Sequence, residues 1–204
     1  IDGTPDEATA PLLDDVIKPL YGAYASIVEA RKLRQPLDLD LPELSVSLGD
    51  DGRVSHVAPR ARLDAHKLVE EFMIAANVAA AETLEKKRSP CMYRVHDVPA
   101  DDKVVSLREF LETLEFNLSK GQAIKPRQFN AILAKVKNTP QEQLVNTVIL
   151  RSQSQAIYSP DNLGHFGLAL QRYAHFTSPI RRYADLLVHR GLISSLGLGD
   201  DGLA

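Results

Sequence analysis

The chain has 204 residues, a formal net charge of -3, 44% hydrophobic and 25% charged residues, and one cysteine. These values suit an ordinary globular domain and exclude an internal disulfide and a cysteine-rich zinc site, and no apolar run nears the ~18 residues a membrane span needs. The acidic total does not exclude nucleic acid, because phosphate binding depends on where the positive charges lie rather than on their sum.

Residues 6–34 carry apolar side chains at helical spacing from Leu12 to Leu33, with Pro36 as the stop and Pro19 as an expected kink that divides the run into a hairpin-like part. Residues 35–43 read as an extended linker. A β-hairpin is expected over 44–58, turning through Gly49–Gly52. A helical core is expected over 62–157. Its strongest helix spans 62–88, with Asp64 as N-cap and a stripe of Leu63, His66, Val69, Met73, Ala76 and Ala80. A short strand at 92–96 and helices near 104–119, 127–137 and 140–157 follow. Residues 165–195 read as a strand and turns leading into a last helix that starts at Ser178–Pro179. The fold class is α+β, helix-rich, with a small antiparallel sheet. No repeat or low-complexity tract is present, and neither end reads as a natural domain boundary, so the chain is expected to be a piece of a longer protein.

The charge is unevenly placed. From Arg151 to Arg190 there are five arginines, three histidines and only two acidic residues, Asp161 and Asp185. Within this stretch, YAHFTSPIRRYADLLVHR (173–190) is the most informative segment. Thr177 and Ser178 are N-cap types and Pro179 suits a first helical position, so the helix start offers free N–H groups to an anion. Arg181 and Arg182 in the same turn add guanidinium forks suited to phosphate oxygens. Ile180, Ala184 and Leu187 are expected to anchor the helix. Spacing leaves a second reading open, in which Arg181 pairs with Asp185 as a surface ion pair contributing ~0.3–0.5 kcal/mol.

The segment TSPIRRYADLLVHR resembles the signature of the ribonuclease II / ribonuclease R family, the RNB catalytic domain. LVEEFMIAANVAAAETL (68–84), YRVHDVP (93–99) and LRSQSQAIYSPDNLGHFGLALQRYAHF (150–176) resemble the family in the same order. The match is close over residues 60–195 and looser over the first helix, and HFGLAL followed by HFTSPIRRYAD is more similar to ribonuclease R than to ribonuclease II. The resemblance implies one incomplete catalytic domain over 1–204, from a processive 3′-to-5′ exoribonuclease that hydrolyses single-stranded RNA to nucleoside monophosphates with Mg²⁺. It places Arg181 at the scissile phosphate and a glutamate of the 62–88 helix in the site, Glu71 ahead of Glu70. Thr177, Ser178, Arg182, His175, Tyr173 and Tyr158 are the expected RNA contacts. A cytoplasmic, monomeric enzyme without membrane contact is implied.

The chain departs from the family at the metal. Mg²⁺ needs clustered oxygen ligands, and the family's aspartate cluster lies upstream of everything present here. Asp14–Asp15, Asp50–Asp51 and Asp101–Asp102 read as solvated surface pairs, so no metal ligand is expected in the chain and the chain alone is expected to be inactive. The alternative is a catalytically dead RNA-binding or regulatory module. A helical scaffold with no nucleic-acid role is the third reading. His165 and His175 read as hydrogen-bonded or phosphate-proximal residues rather than metal ligands. Tyr158 and Tyr173 read equally as stacking or packing residues, His189–Arg190 as partners of the helix dipole, and Cys91 as a small core residue.

Overall fold

The computed structural model describes residues 4–119 and 123–203. The N-terminal run opens as a 3-10 turn at Ala10–Leu12, widens to a π-helical turn at Leu13–Ile17, and continues as α1, Lys18–Arg34. Pro19 accounts for this order. It has no N–H to give to the carbonyl four residues back, and its ring collides with that carbonyl. The upstream chain therefore opens to the wider turn, and Pro19 takes a first-turn position of α1. The result is a single helical run. It ends at Gln35, which is left-handed at φ 54 just before Pro36.

Strands β1 (Leu44–Leu48) and β2 (Val54–Pro59) form an antiparallel hairpin with Val46 opposite Val57. Neither strand contributes a residue to either hydrophobic core.

Helix α2, Asp64–Lys86, differs from expectation in two ways. Leu63, not Asp64, is the N-cap, and its N–H donates to His66 Nδ1 at 3.2 Å. The buried face is Glu71, Ile74, Asn77, Ala80, Ala81 and Leu84, while Val69 and Met73 are exposed. The hydrophobic stripe was a poor guide because two polar side chains, Glu71 and Asn77, belong to the buried face and find partners there.

Beyond α2 come β3 (Tyr93–Val95), α3 (Asp101–Thr113), α4 (Pro126–Val136), α5 (Glu142–Ser152), β4 (Ile157–Ser159) and α6 (Tyr183–Leu196). The described residues hold two separate two-stranded antiparallel sheets, β1–β2 and β3–β4, within a helix-rich α+β fold. Helices α3, α4 and α5 pack Leu107, Leu111, Phe129, Val136, Val145 and Ile149 into one core. Each such side chain contributes about 1.5–3 kcal/mol by leaving water. The second core joins α2, β3 and α6 through Ala81, Leu84, Tyr93, Val95 and Val188. Gly191 permits that junction, since a Cβ there would lie 3.3 Å from Leu84 Cδ2 and 3.4 Å from the Pro90 carbonyl. Phe166 packs against the first of these cores, with its ring 6.2 Å from Phe129 and 6.0 Å from His96.

Candidate nucleic-acid interface

The segment 160–177 has almost no regular structure, so its backbone groups must be satisfied by other means. Two histidines do much of this. His96 Nδ1 accepts the Gly167 N–H at 2.9 Å, and the His96 carbonyl accepts the Phe166 N–H at 2.7 Å. His165 Nδ1 accepts the Leu168 N–H at 3.2 Å. Gly167 is required here, because a Cβ would lie 2.9 Å from His96 Nδ1. Burial lowers both imidazoles, His165 to about 4, which keeps these nitrogens unprotonated acceptors. His165 is thus a turn-forming residue. Instead of the expected strand, the segment makes isolated bridges, His165 with Leu170 and Ala174 with Tyr93.

Helix α2 fixes the same segment at two levels. Glu85 accepts Arg172 Nε at 2.7 Å, the Tyr93 hydroxyl at 3.3 Å and Asn162 Nδ2 at 3.4 Å. Two turns towards the N-terminus, Asn77 donates from Nδ2 to the Tyr173 hydroxyl at 3.0 Å and accepts the Phe176 N–H on Oδ1 at 2.8 Å. From the other side, His189 Nε2 lies 2.8 Å from the Phe176 carbonyl, and the two rings stack 4.2 Å apart at 12°. His189 therefore holds the loop rather than serving the α6 dipole. Arg190 donates to the Asp201 and Gly202 carbonyls.

The signature loop differs from its expected form. Helix α6 starts at Tyr183, with Arg182 as N-cap. Residues 178–181 form a turn in which the Arg181 and Arg182 N–H groups reach the Ser178 carbonyl at 3.3 and 3.2 Å. Thr177 and Ser178 are not caps, and Ile180 is 99% exposed rather than an anchor. The cause is Asp185. Its carboxylate is fully buried and accepts the Ser178 N–H at 2.7 Å, Arg182 Nε at 2.7 Å and Arg182 Nη2 at 2.8 Å. Burial acts to raise this carboxyl, but the Arg182 and Ser178 hydrogen bonds outweigh it and leave it below the ordinary value. Arg182, not Arg181, is the partner of Asp185. Arg181 is exposed, and its side chain makes no hydrogen bond or ion pair among the described residues.

The other expected residues divide by environment. Glu71 is buried against α1, accepting Arg31 Nη1 at 2.6 Å with Arg34 Nη2 at 3.9 Å. Glu70 is half-buried and pairs with Arg62. It lies on the side of α2 that carries Asn77, two turns on, and lines a groove of about 700 Å³ with Arg60, Arg62, His66 and Met73. Tyr173 is buried between His165 and His175, with ring centroids 5.2 and 5.7 Å away. His175 is half-buried, and burial together with Arg182 lowers it to about 4. Tyr158 is exposed, hydrogen-bonded to His175 and covered on one face by Arg94. Arg94 and Asn77 carry no mark of site residues in the sequence, and Asp185 figures there only as a possible partner of Arg181; the cross-strand register of β3 and β4 brings Arg94 beneath Tyr158. Among the described residues no three His, Cys, Asp or Glu side chains converge as a metal would require. The paired aspartates at 14–15, 50–51 and 101–102 lie on different elements, so the described residues do not fit a Mg²⁺ site.

These features define a helix-rich α+β domain that presents an uncommitted arginine beside a fixed aromatic cluster. The chain matches the RNB domain over residues 1–197 and belongs to that family. It is 41% identical over 186 residues to ribonuclease R of Escherichia coli (strain K12), a match covering 91% of this chain and 23% of that protein. The apo form of Mycoplasma genitalium RNase R aligns with a TM-score of 0.82 at 27% identity, over 98% of this chain and 31% of that one. The same RNase R in complex with ribose-methylated single-stranded RNA aligns equally, with a TM-score of 0.82 at 27% identity over the same shares of the two chains. The chain thus spans about a quarter of the length of the curated relatives it matches.

Proposed function

We propose that the protein carrying this chain is a 3′-to-5′ exoribonuclease acting on single-stranded RNA, with Arg181 at the scissile phosphate. The observation that carries this reading is the uncommitted guanidinium of Arg181, in a loop whose other arginine is held by Asp185, within a chain 41% identical to ribonuclease R. A guanidinium fork matches phosphate oxygens, and it contributes most where charge grows as the bond breaks. Glu70 is proposed ahead of Glu71 as the carboxylate of the site, since Glu71 is buried under Arg31 whereas Glu70 and its partner Arg62 stay accessible in a groove. Thr177, Ser178 and His175 are proposed to line the RNA path. Arg182 and Tyr173 act through the loop they hold. The divalent ion is proposed to be Mg²⁺, with carboxylates beyond those described as its ligands. A monomer in a reducing cytoplasm suits the free, buried Cys91.

A second reading, a catalytically silent RNA binder, is favoured for the isolated chain by the dispersal of its carboxylates. The test is a 5′-labelled single-stranded RNA with Mg²⁺, given to the full-length protein and to the 204-residue chain. Stepwise shortening by the first and intact RNA with the second is expected. Shortening by the nuclease-free chain alone overturns the division of the site, and intact RNA with both overturns the nuclease reading.

A further inference from the structure

We infer that Tyr158, Arg94 and His175 form a preassembled stacking platform for one base of the bound RNA, separate from the phosphate contact at Arg181. The inference rests on the RNA reading above and adds a contact of a different kind.

The platform follows from strand register. Arg94 on β3 and Tyr158 on β4 are direct cross-strand partners, so both side chains leave the same face of the sheet. The alternate residues Tyr93 and Val95 point into the core, so the Arg94–Tyr158 face is the outer one. There the Arg94 guanidinium lies over the Tyr158 ring, 4.8 Å from its centroid. A 2.8 Å hydrogen bond joins the Tyr158 hydroxyl to His175 Nδ1, and the His175 ring meets Tyr158 edge-on at 5.6 Å and 74°.

His175 is itself fixed. The Tyr173 carbonyl accepts the Arg94 N–H at 2.9 Å on one side, and Asn77 accepts the Phe176 N–H on the other. Burial and the neighbouring arginines keep the imidazole neutral at neutral pH, where its ring nitrogen can accept a hydrogen bond from the Tyr158 hydroxyl.

Tyr158 nevertheless stays 39% exposed. An aromatic ring held at its hydroxyl and on one face, yet open to water, has already lost most of the freedom that stacking would remove. A guanidinium can cover only one of the two faces. The other suits a nucleobase, and because every base has a π-face the platform should accept any of the four. Tyr173 cannot do the same, being buried at 7% exposure. In this arrangement Tyr158 touches the base, while Arg94 and His175 are positioning residues.

The test is anisotropy of a labelled 12-nucleotide oligoadenylate, and of the same backbone carrying abasic residues, binding to the 204-residue chain. Tyr158→Leu is expected to weaken binding of the base-bearing RNA about 5- to 150-fold. Tyr158→Trp should retain binding, and His175→Gln should fall between. On abasic RNA the wild type and Tyr158→Leu should bind alike. The slope of log affinity against log salt should be unchanged in Tyr158→Leu but smaller by about 0.7 in Arg181→Ala. Binding by Tyr158→Leu within twofold of wild type on base-bearing RNA overturns the platform. So does an equal loss on both RNAs. If Tyr158→Leu is misfolded by circular dichroism, the Trp variant decides, and a large loss in a folded Tyr158→Trp counts against stacking. Wild-type chain that binds neither RNA at low salt overturns the RNA reading and the platform together. A normal Arg181→Ala salt effect with an indifferent Tyr158→Leu overturns the platform alone.

Discussion

Asp185 holds Arg182 through two parallel hydrogen bonds, from Nε at 2.7 Å and Nη2 at 2.8 Å, and uses the same carboxylate to receive the Ser178 N–H. One buried acid therefore fixes both ends of the turn that carries Arg181. Of two adjacent arginines, one is committed to the fold and the other has no side-chain partner among the described residues.

This division predicts different fates for the two arginines in stability. Arg182→Ala leaves Asp185 buried and unpaired, and Asp185→Asn removes the charge that Arg182 requires. Each should cost about 3 kcal/mol, whereas exposed Arg181→Ala should stay within about 0.5 kcal/mol. Urea unfolding followed by circular dichroism reads all three. Equal, small effects at 181, 182 and 185 contradict the assignment.

In turnover the order reverses. On the proposed exonuclease reading, Arg181→Ala in the full-length protein should lower single-turnover cleavage about 10²–10³-fold, with only a few-fold change in affinity, because Arg181 would meet the developing phosphate charge while affinity is spread over many contacts. Arg181→Lys should recover part of the rate, keeping the charge and losing the fork. Loss of affinity at an unchanged single-turnover rate would mean that Arg181 grips RNA without serving the chemistry.

The two glutamates of α2 should separate cleanly. Glu71→Gln removes the charge facing Arg31 and Arg34 and should loosen α1, seen as faster proteolysis of residues 10–34 and a lower melting temperature. Glu70→Gln meets a half-exposed partner, so stability should hold while cleavage by the full-length enzyme falls. The opposite pattern would favour Glu71 as the carboxylate of the site.

Stability should also fall on mild acidification. His165 and His175 sit near 4 in the folded chain, against about 6.5 for free histidine. Between those values the unfolded chain binds more protons, so stability rises with pH there. The contribution is complete above about 6.5 and is lost as pH falls towards 4. Urea midpoints from pH 7.5 to 4.5 should show this decline, and His175→Gln should flatten it. A midpoint independent of pH across that range contradicts it.

Much of the helical core was legible because Phe129, Ile132, Leu133 and Val136 follow the 3.6-residue period without polar interruption, so the helix expected at 127–137 lies within one residue of the observed Pro126–Val136. The hairpin was legible from its Gly–Asp–Asp–Gly turn. The face of α2 was not, because Glu71 and Asn77 are buried for partners 40 and 96 residues away in the chain. Nor was the start of α6. Thr177–Ser178–Pro179 carries every local mark of a helix start, but Asp185 takes the Ser178 N–H and the helix begins at Tyr183. The arginine-bearing motif could be located from sequence; which arginine is uncommitted depended on a side-chain geometry that spacing does not encode.

Helix α2 carries Glu70, Glu71, Asn77 and Glu85 along one rod, about 22 Å from first to last. Arg31, Tyr173, Phe176, Arg172 and Asn162 all take their places from it. A single inserted or deleted residue within α2 would turn everything beyond it by about 100° and move it along by 1.5 Å. Every one of these attachments past the change would then miss its partner together. A surface loop can absorb an added or lost residue, but the count of residues between Glu70 and Glu85 has no such latitude.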